Sequence, residues 1–466
     1  MQIFNTLSRK KELLKPFGKA QNKKLKLFVC GITPYDFAHL GHARTYIAFD
    51  AFVKYLRSAG FRVLYLQNIT DVDDKIIQRA KELNKTPKSL ARRFEKEYLK
   101  NMKELRVDSV NKYARATEHI KEIVNQVKKL LAKGFAYEIE NDGIYFDISK
   151  FKGYGKLSGR TNLQAQDAVS RIDESVQKRN KGDFALWKFS KPGEPKWPSP
   201  WGKGRPGWHI EDTAISEKYF GAQYDMHGGG IDLMFPHHEA EIAQMEAISG
   251  KEPFVKYWLH TGFLTIEGEK MSKSLGNFIT INNFLSKHSP RVLRFFVLKT
   301  HYRSPIDYSE ELLLQTQHEL RRIDEFAEKL KSSALPSRQI SADKEIQNFQ
   351  DGFSKALGDD FNTPKATAVV FELIRWGNAL LAQNQLSKKS AKTILRFLKE
   401  IDKILDLDFA NAIEKVPEEI LQLAKQREEC RKNKQWQKAD KIRSRINLLG
   451  WQVDDTSEGF VLRTKP

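Results

Sequence analysis

Two histidines flank a glycine in the segment His39-Leu40-Gly41-His42, which precedes a predicted helix. Imidazole nitrogens at a helix N-terminus can face a phosphate, and a glycine between them lets a nucleotide approach the backbone closely. A tetrad of this kind is a weak signal by itself, because histidines are common in structural turns. The pattern therefore leaves both a nucleotide site and an ordinary turn open.

Two lysines, Lys270 and Lys273, lie in the segment EKMSKSLGN, which is rich in small polar residues. A loop of this composition can close over a triphosphate and neutralise the charge that develops on a leaving pyrophosphate. A run of charges is more often a solvated surface, so the lysines alone do not decide between the two interpretations.

The chain has only two cysteines, Cys30 and Cys430, 400 positions apart. This spacing is no disulfide framework and favours a reducing, cytoplasmic location. Cys430 is interpreted as an incidental thiol, because it lies far in sequence from the histidine and lysine segments. Cys30 stands nine residues before His39 and is the thiol that needs an explanation.

The elements that must position these side chains follow from hydrophobic periodicity. Residues 25–32 predict a buried strand, residues 43–60 a helix ending at Gly60, and residues 61–70 a second strand. A βαβ unit implies a parallel sheet, and ligands bind such sheets outside the carboxyl ends of the strands. Cys30 and the histidine tetrad fall at that edge.

The rest of the chain predicts further segments. Residues 76–135 are expected to be helical, residues 135–148 to form short strands, and residues 191–211 to be a boundary or an ordered loop without regular structure. Residues 220–250 are expected to contain a glycine-rich turn leading into a helix. Helical periodicity dominates after residue 310, and the last fifty residues predict a basic helix pair closing in a short β segment.

Composition limits the function classes. At 466 residues the chain is expected to have two to four domains, and no apolar run is long enough to span a membrane. The N-terminal segment has no apolar block followed by a cleavage site, so we expect no secretion. The 79 Lys and Arg against 59 Asp and Glu give a formal charge of +20, which is compatible with nucleic-acid binding or with a solvated basic surface.

Together, the histidine and lysine segments resemble the HIGH and KMSKS signatures of class I aminoacyl-tRNA synthetases. Six longer motifs resemble, more narrowly, those of the cysteinyl-tRNA synthetases: FVCGITPYDFAHLGHARTYIAFD, NITDVDDK, GRPGWHIE, HGGGIDLMFPHHEAEIAQ, KMSKSLGN and DDFNTPKA. This resemblance extends from about residue 3 to the C-terminus. It implies an α/β fold: a Rossmann-type catalytic domain with a connective insertion, then a helical bundle and a small mixed α/β C-terminal domain. The expected limits are 1–115 and 206–262 for the catalytic halves, 116–205 for the insertion, 263–315 for the KMSKS and stem-contact region, 316–408 for the tRNA-binding bundle, and 409–466 for anticodon recognition.

The resemblance also implies one zinc ion that binds the thiol of the substrate cysteine. Its ligand positions fall on Cys30, Asp212, His237 and Glu241, and the second departs from the family pattern, which has a cysteine there. His237 and Glu241 share a helix face, whereas His238 is expected on another face and is the poorer candidate. On residue type alone, the alternative is that the metal has been lost and that Asp212 is a surface or helix-capping residue. A carboxylate keeps the ligand charge of a thiolate but is harder, so we expect zinc to bind and other divalent metals to be tolerated more readily.

The same resemblance implies the remaining site residues. Gly31, Thr70 and Trp208 are expected around the bound amino acid, although Trp208 is also compatible with a packing role. The expected ATP-binding residues are His39, Gly41, His42, Gly229, Asp232 and Lys273, with Mg²⁺ accompanying the nucleotide. His39, His42, Lys270 and Lys273 are expected to stabilise the charge that develops as L-cysteine attacks ATP to form cysteinyl-adenylate, before transfer to tRNA(Cys).

The C-terminal segment 425–447 holds nine basic and three acidic residues around Trp436. Basic residues with an exposed aromatic suit single-stranded RNA. The resemblance implies anticodon reading by Trp436 and Asp440, and the alternative is a helix pair with Trp436 in its core. We expect a monomer.

Two other functions remain open. A cysteine:amino-sugar ligase shares the adenylation core but lacks the C-terminal domain, so the basic tail argues for tRNA. A catalytically inactive RNA-binding paralogue would need neither the histidine tetrad nor the paired lysines, and both are present.

Overall fold

The computed structural model describes residues 1–17, 23–160, 177–271, 277–331, 342–409, 418–449, 451–456 and 459–464. The chain divides into two compact units. The first comprises Met1–Ser309, Lys344–Leu373 and Lys403–Asp406, and the second comprises Glu310–Asp343, Ile374–Asp402 and Leu407–Pro466.

The described strands, in chain order, are β1 (Gln2–Asn5), β2 (Lys10–Leu13), β3 (Lys24–Ile32), β4 (Arg62–Ile69), β5 (Lys112–Arg115), β6 (Ala136–Ile139), β7 (Gly143–Phe146), β8 (Phe184–Phe189), β9 (Gly204–Pro206), β10 (Tyr224–Gly230), β11 (Val255–Thr261), β12 (Leu264–Ile266), β13 (Glu269–Lys270), β14 (Ile306–Tyr308), β15 (Trp451–Thr456) and β16 (Gly459–Thr464).

The described helices are α1 (Leu40–Ser58), α2 (Asp74–Glu82), α3 (Pro87–Glu104), α4 (Ile120–Ala132), α5 (Trp208–Phe220), α6 (Glu239–Ser249), α7 (Ile281–Leu285), α8 (Pro290–Leu298), α9 (Glu310–Lys331), α10 (Asp343–Gly358), α11 (Thr363–Ala382), α12 (Lys388–Leu405), α13 (Glu418–Lys432) and α14 (Trp436–Leu448). No described helix combines the length and apolar character needed to cross a membrane.

A five-stranded parallel sheet in the order β11-β10-β3-β4-β5 forms the centre of the first unit. The predicted βαβ unit is confirmed as β3, α1 and β4. From β3 the chain continues to β4 and β5 on one side of β3, and later adds β10 and β11 on the other side. The direction in which successive strands are added therefore reverses between β3 and β10. A crevice forms at such a reversal, outside the carboxyl ends of the strands, and this is where α/β folds bind ligands.

Helix α1 is long because its core-facing positions are apolar and its ends are defined. His39 caps its N-terminus, and Gly60 follows its C-terminus with a φ of 84°, a left-handed conformation that favours glycine. Phe49, Phe52 and Val53 are buried, as the predicted apolar stripe requires.

The antiparallel strands β6-β7-β8-β9 form a four-stranded sheet whose last strand ends one residue beyond the region expected as the insertion. The expectation of no regular structure over 191–211 is wrong, because β9 lies there and α5 begins at Trp208. A Cβ on Gly204 would lie 2.3 Å from the indole nitrogen of Trp187, and one on Gly207 would lie 1.8 Å from the Ala185 carbonyl oxygen. These glycines therefore serve close strand packing and are not signs of an irregular loop.

The glycine-rich turn expected after residue 220 is a strand end instead. Gly228, Gly229 and Gly230 complete β10 and pair with β11. A Cβ on Gly228 would lie 2.2 Å from Cζ of Phe49 on α1, so the glycine lets the helix pack closely on the sheet.

The described part of the second unit is helical apart from its C-terminal end. The predicted basic helix pair is α13 and α14, and the predicted β segment is the antiparallel hairpin of β15 and β16. The helix pair and the hairpin share a small buried core, formed by Ile420, Leu423, Ala424, Ile446, Trp451 and Val453.

Candidate active site

A cavity of about 320 Å³ lies at the reversal between β3 and β10. Its lining combines the ends of both strands with the starts of α1, α2 and α5. The lining residues are Cys30, Gly31, Thr33, Tyr35, His39, Gly41, His42, Thr45, Tyr46, Asn68, Thr70, Lys75, Trp208, Asp212, Gly230, Asp232, Leu233, His237, Gly262, Phe263, Leu264 and Met271. The cavity thus brings together most of the residues that the sequence singled out.

The histidine tetrad forms a reciprocal cap at the start of α1. Nδ1 of His39 accepts a hydrogen bond from the backbone N–H of Gly41 at 3.1 Å, and Nδ1 of His42 accepts one from the backbone N–H of His39 at 3.2 Å. Burial, with a smaller contribution from His39, lowers the pKa of His42 well below its usual value. A neutral imidazole that accepts at Nδ1 carries its proton on Nε2, so His42 can donate from Nε2 to an anion.

The tetrad is joined by backbone hydrogen bonds to the segment that follows the KMSKS motif. The N–H of Leu40 donates to the carbonyl of Ile279 at 3.1 Å, and the N–H of Ile281 donates to the carbonyl of Ala38 at 2.8 Å. Lys270 ends the short strand β13, and only its backbone is described. Lys273 lies outside the described residues, so its predicted role remains a prediction.

The four expected zinc ligands lie together and are fully buried. Nε2 of His237 is 3.0 Å from Oδ2 of Asp212 and 2.9 Å from Oε1 of Glu241, and Sγ of Cys30 is 3.9 Å from the same Glu241 oxygen. One donor atom from each of the four residues lies within 4.8 Å of all the others. The second oxygen of Asp212, Oδ1, is buried and has no hydrogen-bond partner among the described residues. This set is called the Asp212 cluster below.

A second donor set shares two members with the Asp212 cluster. Cys30 and Glu241 also group with His227 and His238, whose Nε2 atoms each lie 3.2 Å from Sγ of Cys30. The expectation that His238 faces away is wrong, because residues 234–238 form a wide, π-type turn with a non-helical residue inside, and α6 begins only at Glu239.

Three side chains beyond the two donor sets, those of His209, His260 and Tyr224, support these donors. Nδ1 of His209 lies 2.8 Å from Nδ1 of His237, and Nδ1 of His238 lies 2.8 Å from Nε2 of His260. Nδ1 of His227 lies 2.6 Å from the hydroxyl of Tyr224. The available signal for His209 is that it directly follows Trp208, whereas the sequence analysis predicts no element over residues 251–262, which contain His260.

The Asp212 cluster buries several acidic groups close together, and this shifts their pKa values. Burial and then the Asp212 and Glu241 carboxylates raise the pKa of the Cys30 thiol well above its usual value. Burial raises the pKa of Glu241 to about 7. Burial alone would lower the pKa of His237, but Glu241 and Asp212 outweigh it and raise that pKa to about 9. A cation among these groups would relieve the repulsion.

The three residues expected around the amino acid also line the cavity. Gly31 cannot carry a side chain, since a Cβ would lie 1.7 Å from the carbonyl oxygen of Asn68. The Thr70 hydroxyl donates to the buried carboxyl of Glu211, which the sequence analysis did not single out. The ring of Trp208 stacks on that of His237 with centroids 4.5 Å apart, so Trp208 faces the cavity and is not a remote packing residue.

Asp232 lies just beyond β10, where it lines the cavity. Gly229 is not among the lining residues, and a Cβ there would lie 3.0 Å from both Cε1 of His238 and Cδ1 of Leu233. Gly229 therefore has little room for a side chain, and its expected contact with ATP stays a prediction, as does the role of Asp232.

Trp436 and Asp440, the residues expected to read the anticodon, lie on α14 in the second unit. Trp436 is 55% exposed, so the alternative that it fills the core of the helix pair is wrong. The guanidinium carbon of Arg431 lies 5.5 Å from the centre of its ring. Asp440 is exposed one turn further along the helix.

Comparison with known proteins supports the same family from two directions. Residues 16–318 match the model of the tRNA synthetases class I (C) catalytic domain, and residues 352–410 match the DALR domain. The chain is 45% identical to a cysteine-tRNA ligase of Thermococcus onnurineus over 99% of this chain and 98% of that relative. It is 44% identical to one of Methanococcus maripaludis over 99% of each chain.

Solved structures agree on the fold. A Mycobacterium tuberculosis methionyl-tRNA synthetase in complex with methionyl-adenylate superposes with a TM-score of 0.60 at 16% identity, covering 83% of this chain and 90% of that one. A putative arginyl-tRNA synthetase from Campylobacter jejuni gives 0.54 at 13% identity, covering 83% and 92%. The chain has the sheet order and the histidine turn described above, and it is 45% identical to such a ligase over nearly its full length. It therefore belongs to the cysteine-tRNA ligases, a family of class I aminoacyl-tRNA synthetases.

Proposed function

We propose that the cavity activates L-cysteine with ATP to cysteinyl-adenylate and then passes the cysteinyl group to tRNA(Cys). The observation that carries this proposal is the Asp212 cluster, because it lies in the same cavity as the histidine turn. One end of the cavity thus offers donors for a metal that takes a thiol, and the other offers donors for phosphates.

The donor set fits a zinc ion. It supplies one sulfur, one nitrogen and carboxylate oxygens, all of which zinc accepts, within 4.8 Å of one another. The unpartnered Oδ1 of Asp212 is an observation that favours a cation, because a buried carboxylate oxygen without a partner costs free energy. Cys30, Asp212, His237 and Glu241 would hold the ion, and His227 and His238 lie within reach of the same thiol.

When bound, zinc would favour the substrate thiol as a thiolate and so distinguish cysteine from serine, whose hydroxyl it holds far less strongly. The chain's own residues shape the rest of the amino-acid site. Gly31 leaves room at the end of β3, Trp208 forms one wall, and Thr70 is fixed by its hydrogen bond to Glu211.

At the other end, His39 and His42 bind the phosphates of ATP, whose Mg²⁺ enters with the nucleotide. Asp232 accepts from the ribose hydroxyls, and Gly41 allows close approach at the helix start. Lys270 and Lys273 neutralise the leaving pyrophosphate. Catalysis rests on positioning and on charge stabilisation, because the protein makes no covalent bond to either reactant.

Charge and domain content favour a tRNA partner. The chain carries a formal +20, includes a match to the DALR domain, and exposes Trp436 beside Arg431. We propose that the bundle over 316–408 binds tRNA and that residues 409–466 read the anticodon through Trp436 and Asp440. The amino-sugar ligase and inactive paralogue are not favoured, since full-length identity is to cysteine-tRNA ligases.

The proposal is tested by metal analysis together with cysteine-dependent pyrophosphate exchange. Purified protein is expected to hold about one zinc per chain, and removing it with a chelator should abolish exchange until zinc is restored. Asp212→Asn should weaken zinc binding by at least the roughly 10- to 100-fold that loss of an outer-shell partner typically costs. Glu217→Gln, on the same helix but bonded to Gln126 and Lys129, is the matched control and should change neither property. Full exchange in metal-free protein would contradict the metal's role.

A further inference from the structure

One cationic side chain in the cavity is accounted for neither by the histidine turn nor by the Asp212 cluster. Lys75 lies in the first turn of α2 and lines the cavity with its side chain exposed to the open space. Among the described residues that line the cavity, it is the only lysine or arginine. It follows directly on the segment Asp71–Asp74, at the carboxyl end of β4.

The ammonium of Lys75 shares one cavity with both ends of the expected site. Its Nζ is 5.9 Å from the ring centres of both Tyr35 and Trp208, and the Trp208 ring stacks on His237 of the Asp212 cluster. His42 of the histidine turn lines the same cavity, and the charge of Lys75 contributes, after burial and His39, to lowering the pKa of that imidazole. Lys75 therefore opens onto the space that the expected thiol site and the expected phosphate site share.

The charge of Lys75 is not committed to an ion pair within the described part of the chain. Asp73 accepts from the backbone N–H of Lys75 at 2.8 Å and so caps α2. The next carboxylate, Asp74, is bonded to Lys188 at 2.8 Å and to Arg205. A lysine kept exposed in a cavity between two aromatic rings is suited to an anion that arrives with the ligands.

We propose that Lys75 contacts the carboxylate of the bound cysteine and the α-phosphate of ATP and holds these two anions together. This inference rests on the proposed function. A cysteine whose thiol lies at the Asp212 cluster and a nucleotide whose phosphates lie at the histidine turn must meet between them. Both reacting groups are negative, so a cation at their junction offsets their repulsion before and during bond formation.

The step balances without proton transfer. A carboxylate oxygen of cysteine forms a bond to the α-phosphorus, and the bond from that phosphorus to the oxygen bridging to the β-phosphorus breaks. Pyrophosphate leaves with the electron pair. Lys75 stays an ammonium throughout, so its contribution is electrostatic and positional.

The test compares Lys75→Met, which keeps an unbranched side chain without charge, with the unaltered zinc-loaded protein. Cysteine-dependent pyrophosphate exchange should fall by about 10²-fold in kcat/KM, the typical loss for one preorganised charge-stabilising donor. Comparing the binding of cysteine with that of cysteamine, which lacks the carboxylate, isolates the contact between Lys75 and the substrate carboxylate. Lys75→Met should weaken cysteine binding and leave cysteamine binding unchanged, and Lys75→Arg should restore part of both losses.

Lys81→Met, which removes the same charge from the same helix, is the control and should leave all three measurements unchanged. Equal weakening of cysteine and cysteamine would indicate a merely structural role and overturn the inference, as would normal exchange in Lys75→Met. If the unaltered protein neither binds cysteine nor exchanges pyrophosphate, the proposed function itself fails. The two failures are thus distinguishable.

Discussion

Asp212 is the residue at which this chain departs from the ligand set of the family it resembles, and the structure shows what the substitution preserves. Its carboxylate lies 3.0 Å from His237, and Oδ1 is buried without a partner. An aspartate keeps the negative charge of a thiolate in a site where Cys30 is the only described sulfur donor. What changes is the softness of the site, and with it the range of metals that it accepts.

The corresponding prediction is that Asp212→Cys makes the site more selective for zinc. A second thiolate should slow chelator-driven zinc loss and raise the preference for zinc over manganese by about tenfold or more, equivalent to about 1.4 kcal/mol. Metal competition followed by metal analysis measures this. Glu217→Cys adds a thiol to the same helix away from the cavity and is the matched control. Equal selectivity in both variants would show that residue 212 does not reach the metal.

The elements show where sequence periodicity was informative and where it was not. The β3-α1-β4 unit followed from apolar spacing and from Gly60, because these signals are local. Cys30, Asp212, His237 and Glu241 came from the family resemblance, and their contacts depend on the fold. His238 was misplaced because residues 234–238 do not follow α-helical geometry, so the assumption of helical faces failed there.

The glycines of β10 were misread for a different reason. A glycine run predicts a turn from local conformational freedom, but here the absence of a side chain is required by Phe49 across the helix-sheet contact. Such a steric demand comes from a residue about 180 positions away in sequence. Local propensity carries no information about it.

For the packing of α1 on the sheet, we predict that Gly228→Ala destabilises the first unit through overpacking. Its Cβ would lie 2.2 Å from the Phe49 ring, so the free energy of unfolding should fall by about 1–3 kcal/mol. Thermal unfolding of the purified protein measures the shift, and adding Phe49→Leu should recover part of it. Gly352→Ala is the control, since its Cβ would meet Val369 at an ordinary 3.6 Å inside a helix, and it should be neutral or stabilising. A melting temperature for Gly228→Ala equal to that of the starting protein would contradict the packing argument.

Across the whole molecule, we propose that amino-acid activation and anticodon reading take place in different units. The cavity with its histidine turn and Asp212 cluster belongs wholly to the first unit, and Trp436 belongs to the second. Under the proposed function, cysteine-dependent pyrophosphate exchange needs no tRNA, whereas charging also needs the anticodon-reading residues of the second unit. The two reactions should therefore respond differently to the same substitution.

Trp436→Ala tests this separation. Stacking of a base on an exposed aromatic ring contributes about 1–3 kcal/mol, so kcat/KM for charging tRNA(Cys) should fall by roughly 5- to 150-fold. Pyrophosphate exchange should be unchanged, because Trp436 is not part of the cavity. Leu448→Ala removes another exposed apolar side chain from α14 and should alter neither reaction. A parallel loss of exchange in Trp436→Ala would mean that the residue supports the catalytic fold, and unimpaired charging would remove it from tRNA recognition.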